Sequence, residues 1–451
     1  MEALVEMTAI ALQHSLFRSQ QGVASLPQFL EETQDVPCPE SFRLVDRRQV
    51  VERTIIRRDC RVVTSRVSLA ASPRKRALSE EDLAALFDRE YLRSRVWPKV
   101  SEGWPAVRLV DLFSSCGIMS LGVWEACRAI ERRLQPVLAL DTNAAALKVY
   151  EQNFAGTRAT MGGVESLLDG RLGDRTTDVE RRFVRGLGNI DILVGGPPCQ
   201  GHSNLNNHTR RADPKNALYE RMARFAEIVR PTNLIIENVS AVLHDRGQVV
   251  SRTAENLVRL GYSVDQIVAD VSTLGAAQRR RRHILVASLT NAPNLRQTLA
   301  RYERPARSVK WAIGDLRKTF GKEPFDTAGS PNKINQARID FLFKRNKFEL
   351  PDSMRPDCHR LKEHSYKSAY GRMHWDEPSQ TITSGFSSMG QGRYVHAKER
   401  RTLTPHEAAR LQFIPDFFQF DYAIGRTALA EMIANAVPTK LTYVLALELL
   451  R

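Results

Sequence analysis

The chain has 451 residues, 42% hydrophobic and 26% charged, which is long enough for two or three domains and has the composition of an ordinary globular protein. Lys and Arg outnumber Asp and Glu by 66 to 51, and the resulting net charge of +15 suits a polyanionic partner such as nucleic acid. The first twenty residues carry Glu2 and Glu6 and no sustained apolar core, so they do not read as a signal peptide. No run reaches the roughly 18–20 apolar residues of a membrane span, and a cytoplasmic protein is expected. The six cysteines (38, 60, 116, 127, 199 and 358) show no CxxC spacing, which argues against a disulfide framework or a zinc site and for a reducing compartment. Cys199-x-x-His202 is at most half a metal site, and no second pair completes it.

In chain order, residues 1 to about 105 precede any regular alternation. Leu4, Met7, Leu12 and Leu16 are loosely helical in spacing, and Val50-Val51 through Val62-Val63 is strand-like and studded with arginines. Ser79-Glu80-Glu81-Asp82 opens a helix to about Trp97, with Ser79 as N-cap and acids in the first turn. Arg57-Arg58, Arg61 and Arg74-Lys75-Arg76 are either phosphate contacts or, more simply, a solvated face. From 106 to about 290, apolar strands alternate with helical segments: Val107–Val110, Val137–Leu140, Ile190–Val194, Leu234–Ile236 and His283–Ala287. That rhythm signals βαβ units and a doubly wound α/β sheet. Residues 300–395 lose it; they are polar, basic and irregular, with a charged stretch at Lys344-Arg345-Asn346-Lys347. Helical patterning resumes at Thr404-Pro405-His406-Glu407, with Thr404 as N-cap and Pro405 at the first helical position.

The strand Ile190–Val194 runs directly into Gly195-Gly196-Pro197-Pro198-Cys199-Gln200. Open parallel sheets bind ligands outside the carboxyl ends of their strands, so a cysteine on this turn is placed for chemistry. A lone cysteine is more often a buried structural thiol, but other motifs accompany this one. They are Asp111-Leu112-Phe113-Ser114-Ser115-Cys116-Gly117, Glu237-Asn238-Val239, Gln278-Arg279-Arg280-Arg281-Arg282, the stretch Arg401 to Gln412, and Asn435-Ala436-Val437-Pro438. In this order and at these distances the set resembles the cytosine C5-methyltransferases of DNA, over roughly residues 106 to 440. The resemblance implies a Rossmann-like sheet that uses S-adenosylmethionine (106–300), a smaller irregular target-recognition domain (301–395) and a C-terminal return to the catalytic domain (396–451). It leaves residues 1–105 as an extension of unassigned role.

Carbon 5 of cytosine is a poor nucleophile until a thiolate adds at C6, and Cys199 suits that step because cysteine is intrinsically nucleophilic. The negative charge pushed into the ring must be met at N3, and a buried acid on a neighbouring strand, Glu237, fits that demand. Taken alone, Glu-Asn after a strand is more often a cap or a turn. Strand alternation before His283 sends Arg280 and Arg282 to one side and Arg279 and Arg281 to the other. The family pattern Gln-x-Arg-x-Arg falls on Gln278, Arg280 and Arg282. It implies that Arg282 steadies the base O2 and the nucleophile with Arg280 close by, which leaves Arg279 and Arg281 for DNA phosphates.

For the methyl donor, the resemblance assigns Phe113 to stack on the adenosine, Ser115 and Gly117 to the binding loop, and Asp141 with Thr142 to the ribose end. Pro198, Asn435 and Val437 close that site. Family members extrude their target base, and Gln200, His202 and Ser203 are the candidates to line the vacated space. Arg372, Thr381 and Thr383 fall in segments that match the end of the recognition region. No metal is expected. The partners implied are double-stranded DNA and a restriction endonuclease acting on the same site, with the protein itself monomeric and held near the nucleoid by DNA.

The chain departs from the family pattern at four places. Ser115 and Ile118 stand where glycines are usual, Gly163 replaces an acid that contacts the adenine, and Ala434 replaces the glycine before Asn435. These changes point to altered donor affinity. Amino-group methyltransferases are the nearest rival, but they carry an aromatic residue after Pro-Pro, where this chain has Cys199. A tRNA-acting member of the same family and a non-catalytic DNA-binding relative remain as alternatives.

Overall fold

The computed structural model describes residues 38–46, 49–71, 77–198, 218–318, 321–360 and 368–451. Its centre is a seven-stranded sheet built from β4 (Ala106–Leu112), β5 (Arg133–Asp141), β6 (Arg158–Met161), β7 (Ile192–Gly195), β8 (Asn233–Val239), β9 (Ser263–Asp270) and β10 (Arg281–Ser288). The spatial order is β6-β5-β4-β7-β8-β10-β9. The first five strands are parallel, and β10 runs antiparallel to both β8 and β9. Strands such as Ile192-Leu193-Val194-Gly195 are buried throughout because helices cover both faces, which explains their unbroken apolar runs.

The chain order of the sheet fixes where chemistry gathers. The carboxyl ends of β4, β5, β6, β7 and β8 lie along one edge, and antiparallel β10 begins at that same edge with Arg281 and Arg282. Helix α2 (Ile118–Ala129) follows β4 on one face, and α3 (Ala144–Asn153) follows β5, capped by Asn143, whose side chain accepts from the Ala145 and Ala146 amides. Helices α4 (Glu220–Val229) and α5 (Val249–Arg259) flank β8 in sequence and bury Phe225 and Leu257 in the core of the opposite face.

The segment before residue 106 carries a three-stranded antiparallel sheet, β1 (Glu40–Val45), β2 (Val50–Ile56) and β3 (Val62–Ser68), backed by α1 (Glu80–Arg93). Ser79 is the N-cap of α1, as expected, and its side chain and that of Asp82 close a capping box. This small module docks on the main body through charge as well as through apolar contacts. Arg53 on β2 is buried; it donates to Glu125 of α2 at 2.7 Å and to the Tyr443 hydroxyl at 3.1 Å, and it lies 4.7 Å from the Phe87 ring centre. Lys440 donates to both carboxylate oxygens of Asp88, at 2.9 and 3.0 Å. Arg57 donates to the Ile130 carbonyl and Arg58 to that of Glu448, so two of the arginines of this module serve docking. Breaking a buried charge pair costs about 3–5 kcal/mol. Arg53→Ala is therefore expected to lower the unfolding free energy by about that much, read as a lower denaturant midpoint at unchanged slope, whereas an unchanged midpoint would show that the module adds no anchoring.

Residues 300–395 are divided between two cores. Val309, Ala312, Ile313, Met373, Ile382 and Phe386 belong to the main core, whereas Ile339 and Leu342 of α6 (Lys333–Lys344) build a small core of their own with Leu350, Tyr370, Met389 and Val395. The chain then returns through α7 (Pro405–Leu411), α8 (Gly425–Asn435) and α9 (Thr439–Leu450). Thr404 caps α7 in a capping box with Glu407, and Pro405 opens the helix. His406 bridges Asp326 at 2.7 Å and Asp416 at 2.9 Å, which fastens the 321–330 stretch to α7. Helix α9 lies so close to α2 that a Cβ on Gly122 would meet the Thr439 carbonyl at 2.7 Å. No single helix among the described residues is long and apolar enough to cross a membrane; α8 and α9 pass only as a pair, are bent by 41°, and α9 is almost wholly buried.

Candidate active site

Residues 199–217 lie outside the described residues, and with them Cys199, Gln200, His202 and Ser203. The turn that leads to them is described up to Pro198 and is held from two sides. A Cβ on Gly195 would stand 2.7 Å from the Leu112 carbonyl and from Met222, so only glycine lets β7 pass between β4 and α4 there. Asn238 donates its Nδ2 hydrogen to the Pro197 carbonyl at 3.2 Å, and its Oδ1 accepts from the Val239 amide. This buried amide ties the Pro-Pro turn to the end of β8. Asn238→Ala removes the tie, and a fall in kcat of about tenfold with unchanged DNA affinity is expected, the size of one buried hydrogen bond. Full turnover in that variant would dismiss the positioning role.

Glu237 reaches the same turn, since its Oε2 lies 3.4 Å from the Cβ position of Gly196. In the β8–β10 ladder Arg282 faces Val239, two residues beyond Glu237, so the arginine and the acid share a face of the sheet. Arg282 Nε donates to Glu237 Oε1 at 2.7 Å. Burial raises the Glu237 carboxyl above the ordinary carboxylate range, and the charges of Arg282 and Arg280 oppose that rise. The side chain is thus inclined toward the protonated form while keeping a cationic neighbour.

Arg280 lies on the same side but is buried and joins other elements, with its guanidinium donating to the Ile382 and Ala434 carbonyls, both at 2.9 Å. Gln278 continues this lacing: it accepts from the Ile382 amide at 2.8 Å and donates to Gln412 at 2.8 Å, while Gln412 donates to the Ile433 carbonyl. Sequence reasoning gave Gln278 and Gln412 no role, although both sit inside recognised motifs. Arg279 and Arg281 are exposed, as alternation requires, and Arg279 stands 3.8 Å from Glu377.

At the ends of β4 and β5 the loop from Phe113 to Gly117 coils through left-handed conformations, with φ of 59° at Phe113, 46° at Ser115 and 92° at Gly117. A Cβ on Gly117 would meet the Tyr150 and Phe154 rings at 2.8 and 2.9 Å, so this position needs glycine on both counts. Ser115 holds its strained backbone without glycine by donating its amide hydrogen to Asp141 Oδ2 at 2.8 Å. Asp141 also accepts from the Asn143 amide at 2.8 Å, and its half-exposed carboxylate and the exposed Thr142 stand at the end of β5. Beneath the loop Asp111 is buried; it accepts from the Ser120 hydroxyl at 2.6 Å, and Ser120 is bonded in turn to Tyr150. Burial pushes the Asp111 carboxyl up to about 8, so at neutral pH it is largely a neutral support for the loop. Burial likewise pushes the Cys116 thiol up to about 12, which leaves that cysteine no nucleophilic part. Val437 is buried and Asn435 exposed where α8 gives way to α9.

Three residues assigned to DNA are engaged within the protein. Arg372 is buried between the Phe343 and Phe348 rings, at 4.1 and 5.3 Å, and donates twice to the Ala397 carbonyl, so packing corrects its assignment to a DNA-facing surface. Thr381 donates to the Arg279 carbonyl and Thr383 is bonded to the Tyr394 hydroxyl, contacts that set the course of the segment beside Arg279.

A family model described as C-5 cytosine-specific DNA methylase matches residues 107–451. The chain is 46% identical over 399 residues to the type II methyltransferase M1.BsuMI of Bacillus subtilis (strain 168), covering 88% of this chain and 92% of that protein. That match runs beyond the family model's span, so part of the segment before residue 107 is shared with this relative. It is 28% identical over 353 residues to the type II methylase M.HgiDII of Herpetosiphon aurantiacus, covering 76% of this chain and 95% of that one. Among solved structures, a DNA modification methyltransferase encoded within an Escherichia coli prophage has the same fold, with a TM-score of 0.51 and 19% identity over 76% of this chain and 97% of that one.

Proposed function

The chain belongs to the C-5 cytosine-specific DNA methylase family and is a type II DNA cytosine-5 methyltransferase, and from that premise we propose that it methylates C5 of a cytosine within a specific double-stranded DNA sequence, through a covalent bond between Cys199 and C6 of an extruded base. The reading is carried by the Glu237–Arg282 pair at 2.7 Å, set beside Gly196 on the turn that leads to Cys199. The Cys199 thiolate adds to C6 while Glu237 gives a proton to N3, and C5 becomes nucleophilic. Once C5 has taken the methyl from the sulfonium, whose sulfur keeps the bonding pair, the C5 proton passes to solvent. The Cys199–C6 bond breaks with its electrons returning to sulfur, and N3 gives its proton back to Glu237 as the aromatic ring is restored. Arg282 orients Glu237 and meets the base from the same face.

The residues at the ends of β4 and β5 fit S-adenosylmethionine: the half-buried Phe113 offers a ring face, Asp141 a carboxylate for vicinal hydroxyls, and the loop through Gly117 a backbone free of side chains at its tightest point. When bound, that group supplies an electrophilic methyl. Arg279 and Arg281 are assigned to DNA phosphates, Gln200, His202 and Ser203 to the space left by the extruded base, and Thr381 and Thr383 to shaping the recognition segment. A restriction endonuclease with the same target sequence is the implied partner, and the protein acts as a monomer.

The test uses methyl-labelled S-adenosylmethionine with unmethylated DNA and, separately, with tRNA. Label in DNA as 5-methylcytosine is the expected result. Label on tRNA alone would move the protein to RNA, and no label on either would leave only a binding role.

A further inference from the structure

We propose that Glu165 supplies the acceptor for the exocyclic amine of the donor's adenine, in place of the acid that position 163 lacks; this rests on the proposed reading of the donor site. Strand β6 lies beside β5, with Met161 in register with Asp141 and the Gly162 amide donating to the Asp141 carbonyl at 3.0 Å. A nucleoside held through its ribose at Asp141 therefore lays its base across the end of the adjacent strand. Two glycines, Gly162 and Gly163, follow there, so no side chain of their own covers the backbone. The one-turn helix Val164–Leu167 comes next, and its Glu165 folds back: a Cβ on Gly163 would lie 2.6 and 2.9 Å from the two carboxylate oxygens and 2.8 Å from the carbon between them. The Glu165 carboxylate thus occupies the space into which a side chain at 163 would project. Glu165 is solvent-exposed, and Met161 at the end of β6 is exposed as well. An open carboxylate at the end of this strand suits the amine edge of adenine.

Glycine at 163 is what lets the Glu165 carboxylate lie there; a side chain at 163 would turn that exposed carboxylate aside. The experiment is calorimetric titration of the full chain with S-adenosylhomocysteine and with its inosine counterpart, which carries a carbonyl in place of the amine. The wild type is expected to bind the adenine compound at least about tenfold more tightly, the worth of one hydrogen bond to a carboxylate. Glu165→Ala should bring the ratio close to one, and Gly163→Asp in that background should restore it. A ratio unchanged by Glu165→Ala would overturn the proposal while leaving the donor site intact. Failure of the wild type to bind either compound would overturn both the proposal and the donor-site reading.

Discussion

Cys199→Ala is expected to abolish methyl transfer, a loss on the order of 10⁴-fold or more for removal of a covalent nucleophile, while DNA binding survives. The reason is chemical. Without a thiolate on C6 the C5 carbon has too little electron density to attack a methyl sulfonium. The other cysteines offer no rescue in the core, since Cys116 and Cys127 are buried and burial pushes both thiols upward. DNA affinity depends mainly on phosphate contacts from basic side chains, which the substitution leaves in place. Retention of more than a few per cent of the wild-type rate, measured in single turnover, would remove Cys199 from the mechanism.

Glu237→Gln is expected to lower the rate by about 10²–10⁴-fold, the usual worth of a positioned general acid, with little change in affinity for DNA. Gln keeps the shape and still accepts a hydrogen bond from Arg282, but it has no acidic proton to give to N3. The pH profile separates this role from a structural one. Burial raises the Glu237 pKa and the two arginines oppose that rise, so the competent protonated form is fully present below the raised pKa and is lost as pH climbs through it. The wild-type rate should therefore carry a descending limb that the Gln variant lacks. Arg282→Met removes the nearer of the opposing charges, and the same limb should then move to higher pH. A limb that stays in place in both variants would show that Glu237 does not carry the proton.

The sheet and the sidedness of the arginines before His283 are legible in the sequence because they follow from periodicity and turn chemistry. Alternation alone separates Arg280 and Arg282 from Arg279 and Arg281, and the antiparallel ladder then brings Arg282 to Glu237. Thr404 and Ser79 announce their helices because capping is a local matter of three or four residues. What is not legible depends on contacts far apart in the chain. Arg53 meets Glu125 across 72 residues and Tyr443 across 390, so nothing near Arg53 marks it as a buried anchor. Arg372 reads as a surface cation until Phe343 and Phe348 close over it from a segment about 25 residues away. Ser115 looks like the loss of a needed glycine, yet the hydrogen bond its backbone N–H donates to Asp141 holds the left-handed turn that glycine would otherwise supply.

The central claim is that Cys199 bonds to C6 of a DNA cytosine. It is tested most directly by incubating the protein and S-adenosylmethionine with DNA in which 5-fluorocytosine replaces cytosine. Fluorine at C5 blocks the final proton loss, so the bond formed in the first step persists and the attached peptide can be identified by mass spectrometry. The expected result is a single DNA-linked peptide that contains Cys199 and is absent in Cys199→Ala. A link through any other residue, or no link from protein that methylates ordinary DNA, would contradict the claim.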